Sequence, residues 1–229
     1  DKIEKSSEEV LASQTRMLHE KTAQQQMEII AYRNQVNPHF LYNTFDCIRG
    51  IAYMHNAMEI VVISQSLSSM FHYAVKGGNF VTIEEELQYM QSYATIIGYR
   101  FDGRITILDH IDPGLYQCMV IRMLLQPLVE NAIDHGIDLK EDGRGYIKII
   151  GRKDAENIYL TVEDNGVGIE PEILSSILEF KTKGYGVRNV NSRIQLEYGE
   201  AYGLSIESEP GKGTKVTVRI PGVEREVQA

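Results

Sequence analysis

Two stretches of this 229-residue chain combine residue types suited to binding a nucleotide base and a hydrated cation. Residues 124–136 (LLQPLVENAIDHG) have the pattern of an amphipathic helix whose polar face carries Asn131, and an amide oxygen is a suitable ligand for Mg²⁺. Residues 163–168 (EDNGVG) end a predicted strand in an Asp-x-Gly-x-Gly turn. A buried Asp164 would accept a hydrogen bond from an exocyclic amine such as that of adenine, and Gly166 and Gly168, lacking a Cβ, would let backbone approach a flat ring. The two stretches predict an adenine pocket with a metal–phosphate end, although Asp-Asn-Gly is also an ordinary turn between strands.

Two glycine-containing segments follow. Residues 183–187 (KGYGV) open a predicted helix over 187–198, whose first N–H groups and dipole favour a phosphate. Residues 211–214 (GKGT) precede an alternating strand. The four elements, in this order, resemble the N, G1, G2 and G3 boxes of the GHKL superfamily of ATP-binding domains, which includes gyrase, the mismatch-repair ATPase and the sensor histidine kinases. The resemblance adds six candidate ATP contacts in the last two segments: Lys183, Gly184, Gly186, Gly211, Gly213 and Thr214.

A histidine upstream has a distinctive setting. A lone histidine beside apolar residues is more often packed or on the surface than reactive. Residues 37–45 (NPHFLYNTF), however, resemble the phosphoacceptor helix of the bacterial sensor histidine kinases marked by an NPHFLYN signature, and the resemblance continues through 82–101. In that family the histidine of the motif takes the γ-phosphoryl group of ATP, a role that falls on His39. A neutral imidazole nitrogen is a competent nucleophile near neutral pH.

The resemblance also implies roles for the neighbours of His39. Asn43 stands where related kinases place an amide or hydroxyl that orients water for dephosphorylating the partner protein. Phe40 stands where most histidine kinases have a carboxylate, so the general base stays open between Asp46 and Glu130.

At the nucleotide end, the resemblance makes Asn131 a Mg²⁺ ligand and Glu130 a second metal contact or a base. His135 takes a phosphate-side position. Asp134 stands where the family commonly has lysine, which leaves Lys183 and Arg188 as the candidate substitutes. Thus ATP and Mg²⁺ are the expected ligands.

Composition and periodicity divide the chain into four segments. Residues 1–35 are polar, with a weak heptad seam that predicts a signalling helix or coiled coil, or simply a solvated helix. Residues 36–79 predict a helical hairpin with one apolar stripe, which needs pairing into a four-helix bundle and hence a homodimer. Residues 80–222 predict an α/β-sandwich ATP-binding domain of GHKL (Bergerat) type, and 223–229 a tail. The glycine pair at 77–78 is the expected hinge.

Local signals place the elements of the larger domain. Thr82 and Glu85 form a capping box that opens a helix ending near Arg100. Residues 170–183 are the least regular part and the expected lid. Strands are predicted at 105–111, 146–152, 157–163, 204–208 and 214–220, and further helices around 121–134 and 187–198.

Composition restricts the partners. The net charge is −9, which argues against nucleic acid as the main partner. Two cysteines fit a reducing cytoplasm. No apolar run approaches the roughly 20 residues of a membrane span, so we expect a cytoplasmic fragment that reaches a bacterial plasma membrane only through a further N-terminal portion.

These features predict a sensor histidine kinase that autophosphorylates and passes the phosphoryl group to an aspartate on the receiver domain of a response regulator. Two alternatives stay open. One is a GHKL ATPase that hydrolyses ATP with Glu130 activating water. The other is a nucleotide-gated docking scaffold without histidine phosphorylation.

Overall fold

The computed structural model describes residues 38–178 and 185–222. The predictions for the segment 1–35, for Lys183 and Gly184, and for the tail 223–229 lie outside the described residues. The chain divides into two compact units, residues 1–47 and 48–229. Among the described helices, none combines the length and the apolar character that crossing a membrane requires.

Two helices begin the described chain. Helix α1 (Pro38–Met54) and helix α2 (Met58–Val75) are joined by a short turn in which Asn56 adopts a left-handed φ of 55°. This confirms the two predicted helices and the turn near Asn56, whereas their pairing as a hairpin stays a prediction. Several large apolar side chains on these helices stay exposed in the single chain: Ile48, Ile51, Ile60 and Leu67.

The predicted capping box opens the next helix. Strand β1 (Phe80–Thr82) leads into helix α3 (Ile83–Arg100). The Thr82 hydroxyl accepts a hydrogen bond from the Glu85 amide at 3.1 Å, and the Glu85 carboxylate accepts one from the Thr82 amide at 3.0 Å. Strand β1 pairs antiparallel with strand β3 (Met119–Ile121), a pairing of two three-residue strands that the sequence analysis did not predict.

Five strands form the main sheet, and all five were predicted to within one residue at each end. They are β2 (Ile105–Ile111), β4 (Gly145–Lys153), β5 (Asn157–Asp164), β6 (Gly203–Glu209) and β7 (Gly213–Pro221). The spatial order is β2-β4-β5-β7-β6, with β2 and β4 parallel and the other neighbours antiparallel. The sheet is therefore mixed, as expected for the α/β sandwich.

The helix that carries Asn131 differs from the prediction. Helix α4 (Gln126–Asn131) begins five residues later than expected, because β3 occupies 119–121 and Met123 adopts a left-handed φ of 55°. It continues as a π-helical turn over Ala132–Ile137. Part of the segment expected to be irregular is helical, as helix α5 (Pro171–Leu178). The last helix is α6 (Tyr185–Tyr198).

Strand alternation decides which side chains of the sheet lie under the helices. On β5, Ile158, Leu160 and Val162 are almost fully buried, and Asp164 follows them on the same face. The opposite face carries charged side chains, such as Lys148 and Glu163, whose charged atoms lie 3.8 Å apart. The period of two therefore places Asp164 inside the domain.

Candidate functional site

A cavity of about 640 Å³ lies between the sheet and the helices that cover it. This volume is in the range of small-molecule and cofactor sites. Its apolar wall includes Leu128, Val162, Val167, Ile173, Ile206 and Val216. Seven predicted site residues also line it: Asn131, His135, Asp164, Gly168, Gly186, Arg188 and Thr214. The fold thus gathers residues from the four sequence boxes around one cavity.

Asp164 ends strand β5 in this cavity and is 7% exposed. Its Oδ1 accepts a hydrogen bond from the Gly166 amide at 2.8 Å, and the Thr214 amide also donates to the carboxylate. Burial raises the pKa of this carboxyl above its ordinary value, and the two amide donors oppose the shift. A buried carboxylate that retains acceptor capacity can receive a hydrogen bond from an exocyclic amine.

The glycines after Asp164 have a steric reason that the sequence analysis did not identify. A Cβ on Gly166 would lie 2.4 Å from the carbonyl carbon of Gly136, and one on Gly168, whose φ is 73°, would lie 2.1 Å from the carbonyl oxygen of Glu209. Neither distance is compatible with a side chain. The missing Cβ atoms therefore let backbone pack against backbone around Asp164, where we had expected them to leave room for a ring.

The segment before β7 approaches Asp164 from the other side. A Cβ on Gly213, whose φ is 111°, would lie 2.0 Å from the Asp164 carbonyl oxygen. The Thr214 hydroxyl lies 2.9 Å from the Ser208 hydroxyl on the neighbouring strand. Gly211 lies in the turn before β7 with a φ of 78° and is not among the residues that line the cavity.

Asn131 and Gly186 meet in the same cavity. The Asn131 side-chain nitrogen is buried without a hydrogen-bond partner, and a Cβ on Gly186 would lie 3.0 Å from it. Gly186 lies in the first turn of helix α6, where backbone N–H groups have no partner within the helix. The exposed side chains of His135 and Arg188 complete this polar part of the wall. A buried NH₂ donor without a partner, beside a helix N-terminus, fits a phosphate group.

Glu130 is not among the residues that line the cavity. Its carboxylate accepts a hydrogen bond from the Gln126 side chain at 2.8 Å, and Gln126 in turn accepts one from the Tyr89 hydroxyl of helix α3 at 2.8 Å. Burial, followed by the nearby charge of Glu130, raises the pKa of Tyr93 to about 12. Glu130 thus faces helix α3, because successive helical residues point about 100° apart and Asn131 takes the cavity side.

His39 and Asn43 lie on helix α1 in the first unit. Both side chains are exposed, and the Asn43 side-chain nitrogen lies 3.3 Å from the His39 Nδ1. The predicted one-turn spacing therefore brings the two side chains into contact.

A buried polar cluster that was not predicted lies at the start of helix α4. Glu86 is completely buried, and Arg122 and Tyr73 are each 8% exposed. The sequence does contain a pattern that indicates the burial of Glu86. This residue falls in the first turn of α3 beside Ile83 and Leu87, which are both core residues. A carboxylate on a core stripe requires hydrogen-bond donors from elsewhere in the fold.

Within the described residues, no group of three or more His, Cys, Asp or Glu side chains could hold a metal ion. A cation that arrives with a nucleotide needs only one or two protein ligands, since phosphates and waters supply the rest. Asn131 lines the cavity and carries an amide oxygen, which is a ligand type that Mg²⁺ accepts.

Comparisons with known proteins bear on both parts of the chain. Residues 27–105 match the family model described as histidine kinase, and residues 119–224 match the one described as histidine kinase-, DNA gyrase B-, and HSP90-like ATPase. The sensor histidine kinase YesM of Bacillus subtilis is 36% identical over 195 residues, which cover 85% of this chain and 33% of YesM. The sensor histidine kinase BtsS of Escherichia coli is 32% identical over 216 residues, which cover 94% of this chain and 36% of BtsS.

This chain spans about a third of the length of both of these relatives. Among solved structures, the catalytic domain of the histidine kinase ThkA aligns in full with 66% of this chain, at 20% identity and a TM-score of 0.51. That likeness supports the fold of the sheet and its helices. Because these relatives are at least 32% identical over 85% or more of this chain, and the two family models match successive parts of it, the chain belongs to the sensor histidine kinase family.

Proposed function

We propose that this chain is the part of a sensor histidine kinase that transfers the γ-phosphoryl group of ATP to His39 and then to an aspartate on a response regulator. Residues 36–79 serve as the dimerisation and phosphotransfer hairpin, and residues 80–222 as the ATP-binding domain. The observation that best supports this proposal is the cavity in which Asp164, Asn131 and Gly186 come together within a GHKL-type fold.

The cavity suits the chemistry of ATP. Asp164 accepts a hydrogen bond from the adenine amine, and the apolar wall covers the faces of the base. Asn131 offers its amide oxygen to Mg²⁺, while the first N–H groups of helix α6 and the side chains of His135 and Arg188 meet the phosphates. Bound Mg²⁺ supplies neutralisation of the triphosphate charge.

His39 supplies the nucleophile. The lone pair of a ring nitrogen forms a bond to the γ-phosphorus as the bond from that phosphorus to the bridging oxygen of ADP breaks, and ADP leaves. A carboxylate oxygen of the regulator then takes the phosphoryl group and regenerates the imidazole. Exposure of His39 on α1 fits a group that must meet both donor and acceptor. Asn43 touches the ring, and in this proposal its amide orients a water that hydrolyses the aspartyl phosphate of the regulator.

The exposed apolar side chains of the hairpin support a homodimer. Ile51 and Ile60 are 50% and 48% exposed, and Ile48 and Leu67 are also exposed. Pairing two hairpins buries these side chains in a four-helix bundle. The complete protein would hold this part in the cytoplasm, next to a bacterial plasma membrane that a further segment reaches.

Labelling with γ-phosphate-labelled ATP tests the proposal. The wild-type chain should acquire an acid-labile, base-stable label, and His39→Gln should abolish it while ATP affinity stays nearly unchanged. His55→Gln is the matched control, because His55 is an exposed histidine at the hairpin turn, and it should label normally.

The alternatives give different results in the same experiment. A GHKL ATPase would release free phosphate without labelling the protein, and a docking scaffold would do neither. A base-stable label that persists in His39→Gln would place the acceptor at another histidine and refute the assignment.

A further inference from the structure

Glu86 holds the chain that leads into the Asn131 helix. Its carboxylate accepts hydrogen bonds from the backbone N–H groups of Leu124 and Leu125, both at 3.2 Å, and from that of Met123. The hydroxyl of Tyr73 is a fourth donor. Two donors on each oxygen satisfy a carboxylate, which explains how a completely buried glutamate is accommodated.

The three backbone donors form a concave anion site. Met123 adopts a φ of 55°, a left-handed conformation that is costly for a residue with a side chain, and this turns consecutive N–H groups toward one point. Helix α4 starts at Gln126, and Leu125 before it makes no side-chain cap. Glu86 therefore fixes, from helix α3, the backbone that leads into a helix without a local side-chain cap.

The same segment is fixed to helix α2. The Arg122 guanidinium donates to the carbonyl oxygens of Tyr73 at 3.0 Å and Gly77 at 2.8 Å, and also to that of Lys76. These carbonyls end helix α2, where a cation is favourable. The Arg122 backbone N–H also donates to the Asn79 carbonyl oxygen at 2.9 Å, so the expected hinge at 77–78 is tethered to Arg122 on both sides.

Helix α6 reaches this segment as well. The Arg193 guanidinium donates to the carbonyl oxygens of Arg122 at 2.7 Å and Met123 at 3.4 Å. Helices α2, α3 and α6 therefore all bind residues 122–125, helix α2 through the Arg122 side chain and the other two through the backbone. Asn131 follows at the end of a helix of only six residues, so the backbone at 123–125 sets where its side chain points.

We propose that Glu86 is a positioning residue for Asn131, and that the Tyr73 hydroxyl makes this positioning depend on how helix α2 is seated. The proposal rests on the proposed role of Asn131 as the metal ligand. A displacement of α2 removes the hydroxyl from Glu86, the turn at Met123 relaxes, and the nucleotide cavity loses its metal-binding geometry. The end of the phosphotransfer hairpin would thereby control Mg²⁺–ATP binding.

Two variants test this on the full chain. Glu86→Gln keeps the size of the side chain but turns an NH₂ group toward backbone donors, and Tyr73→Phe removes only the hydroxyl. The measurement is the dissociation constant of Mg²⁺–ATP and, separately, that of adenosine. We expect the dissociation constant of Mg²⁺–ATP, divided by that of adenosine, to rise about tenfold in Glu86→Gln and about threefold in Tyr73→Phe. Both changes are within the range for a lost charge-assisted hydrogen bond.

Tyr202→Phe is the control, because Tyr202 packs against the core beside Tyr198 and its hydroxyl is not among the groups that bind residues 122–125, so its variant should leave the ratio unchanged. If Glu86 has only a structural role, Glu86→Gln should lower thermal stability and weaken the binding of both ligands equally, and that result would overturn the proposal. If Glu86→Gln fails to fold, an unchanged ratio in Tyr73→Phe overturns it instead. Failure of the wild-type chain to bind either ligand would refute the proposed function itself.

Discussion

Replacing Asp164 by asparagine changes one atom at the end of strand β5 and removes one negative charge from a nearly buried position. The amide can keep its oxygen on the Gly166 N–H, which the carboxylate binds at 2.8 Å. Its NH₂ group then takes the place of the second carboxylate oxygen. A donor replaces an acceptor where the proposed adenine amine donates, so the variant opposes adenine without changing the shape of the cavity.

The magnitude follows from the hydrogen bond that is lost. A hydrogen bond to a charged group contributes roughly 1.5–3 kcal/mol, which corresponds to a roughly 10- to 150-fold weaker dissociation constant for ATP. Guanine carries a carbonyl oxygen where adenine carries its amine, and the new NH₂ group can donate to it. We therefore expect Asp164→Asn to weaken the binding of ATP and to strengthen the binding of GTP relative to that of ATP.

Competition of unlabelled ATP and GTP against a fluorescent ATP analogue measures both constants. Glu163→Gln is the matched control, because Glu163 is the adjacent carboxylate but lies on the outer face of the sheet, 3.8 Å from Lys148. It should leave the nucleotide preference unchanged. The adenine-reading role of Asp164 is refuted if Asp164→Asn keeps the preference of the wild type, or if both carboxylate variants weaken ATP equally.

Three other expectations concern the same sites. Asn131→Ala should weaken the binding of Mg²⁺–ATP by at least roughly tenfold, or 1.4 kcal/mol, but hardly change the binding of adenosine. An equal loss of ATP affinity in titrations with and without Mg²⁺ would make Asn131 an ordinary helix residue. Asn43→Ala should slow the dephosphorylation of the regulator while sparing labelling of His39, and the decay of phosphorylated regulator with mutant or parent kinase measures this. Burial raises the pKa of Asp164 above its ordinary 3.8, and a donated hydrogen bond favours the charged form, so adenosine binding releases a proton. Adenosine affinity should accordingly rise with pH above 3.8 until the raised pKa of Asp164 is passed and then level off, whereas Asp164→Asn should show no such rise when both are titrated by calorimetry.

Local patterns in the sequence were sufficient for most elements of the fold. Alternation of apolar residues located the five strands of the sheet, because the side-chain period of two is a property of each strand alone. The same alternation puts Asp164 on the buried face after Val162. The capping box of Thr82 and Glu85 spans only four residues, so the start of helix α3 could be predicted without knowing what packs against it.

The start of helix α4 could not be predicted in this way. Apolar periodicity extends the helix back to about Ile121, but Ile121 pairs with Phe80 in the small sheet. Glu86 and the left-handed Met123 then fix the turn before Gln126. These partners are separated by more than thirty residues along the chain, and a local pattern contains no information about them.

The amino-acid sequence by itself determined which residue types could bind ATP and in what order they occur, because motif chemistry depends on spacings of a few residues. Only the tertiary structure decided how they are used. It turns Glu130 toward Gln126 and away from the cavity, and it packs Gly166 against the backbone of Gly136. Side-chain direction and close backbone approach depend on how helices and sheet pack together, and packing joins residues that the sequence keeps apart.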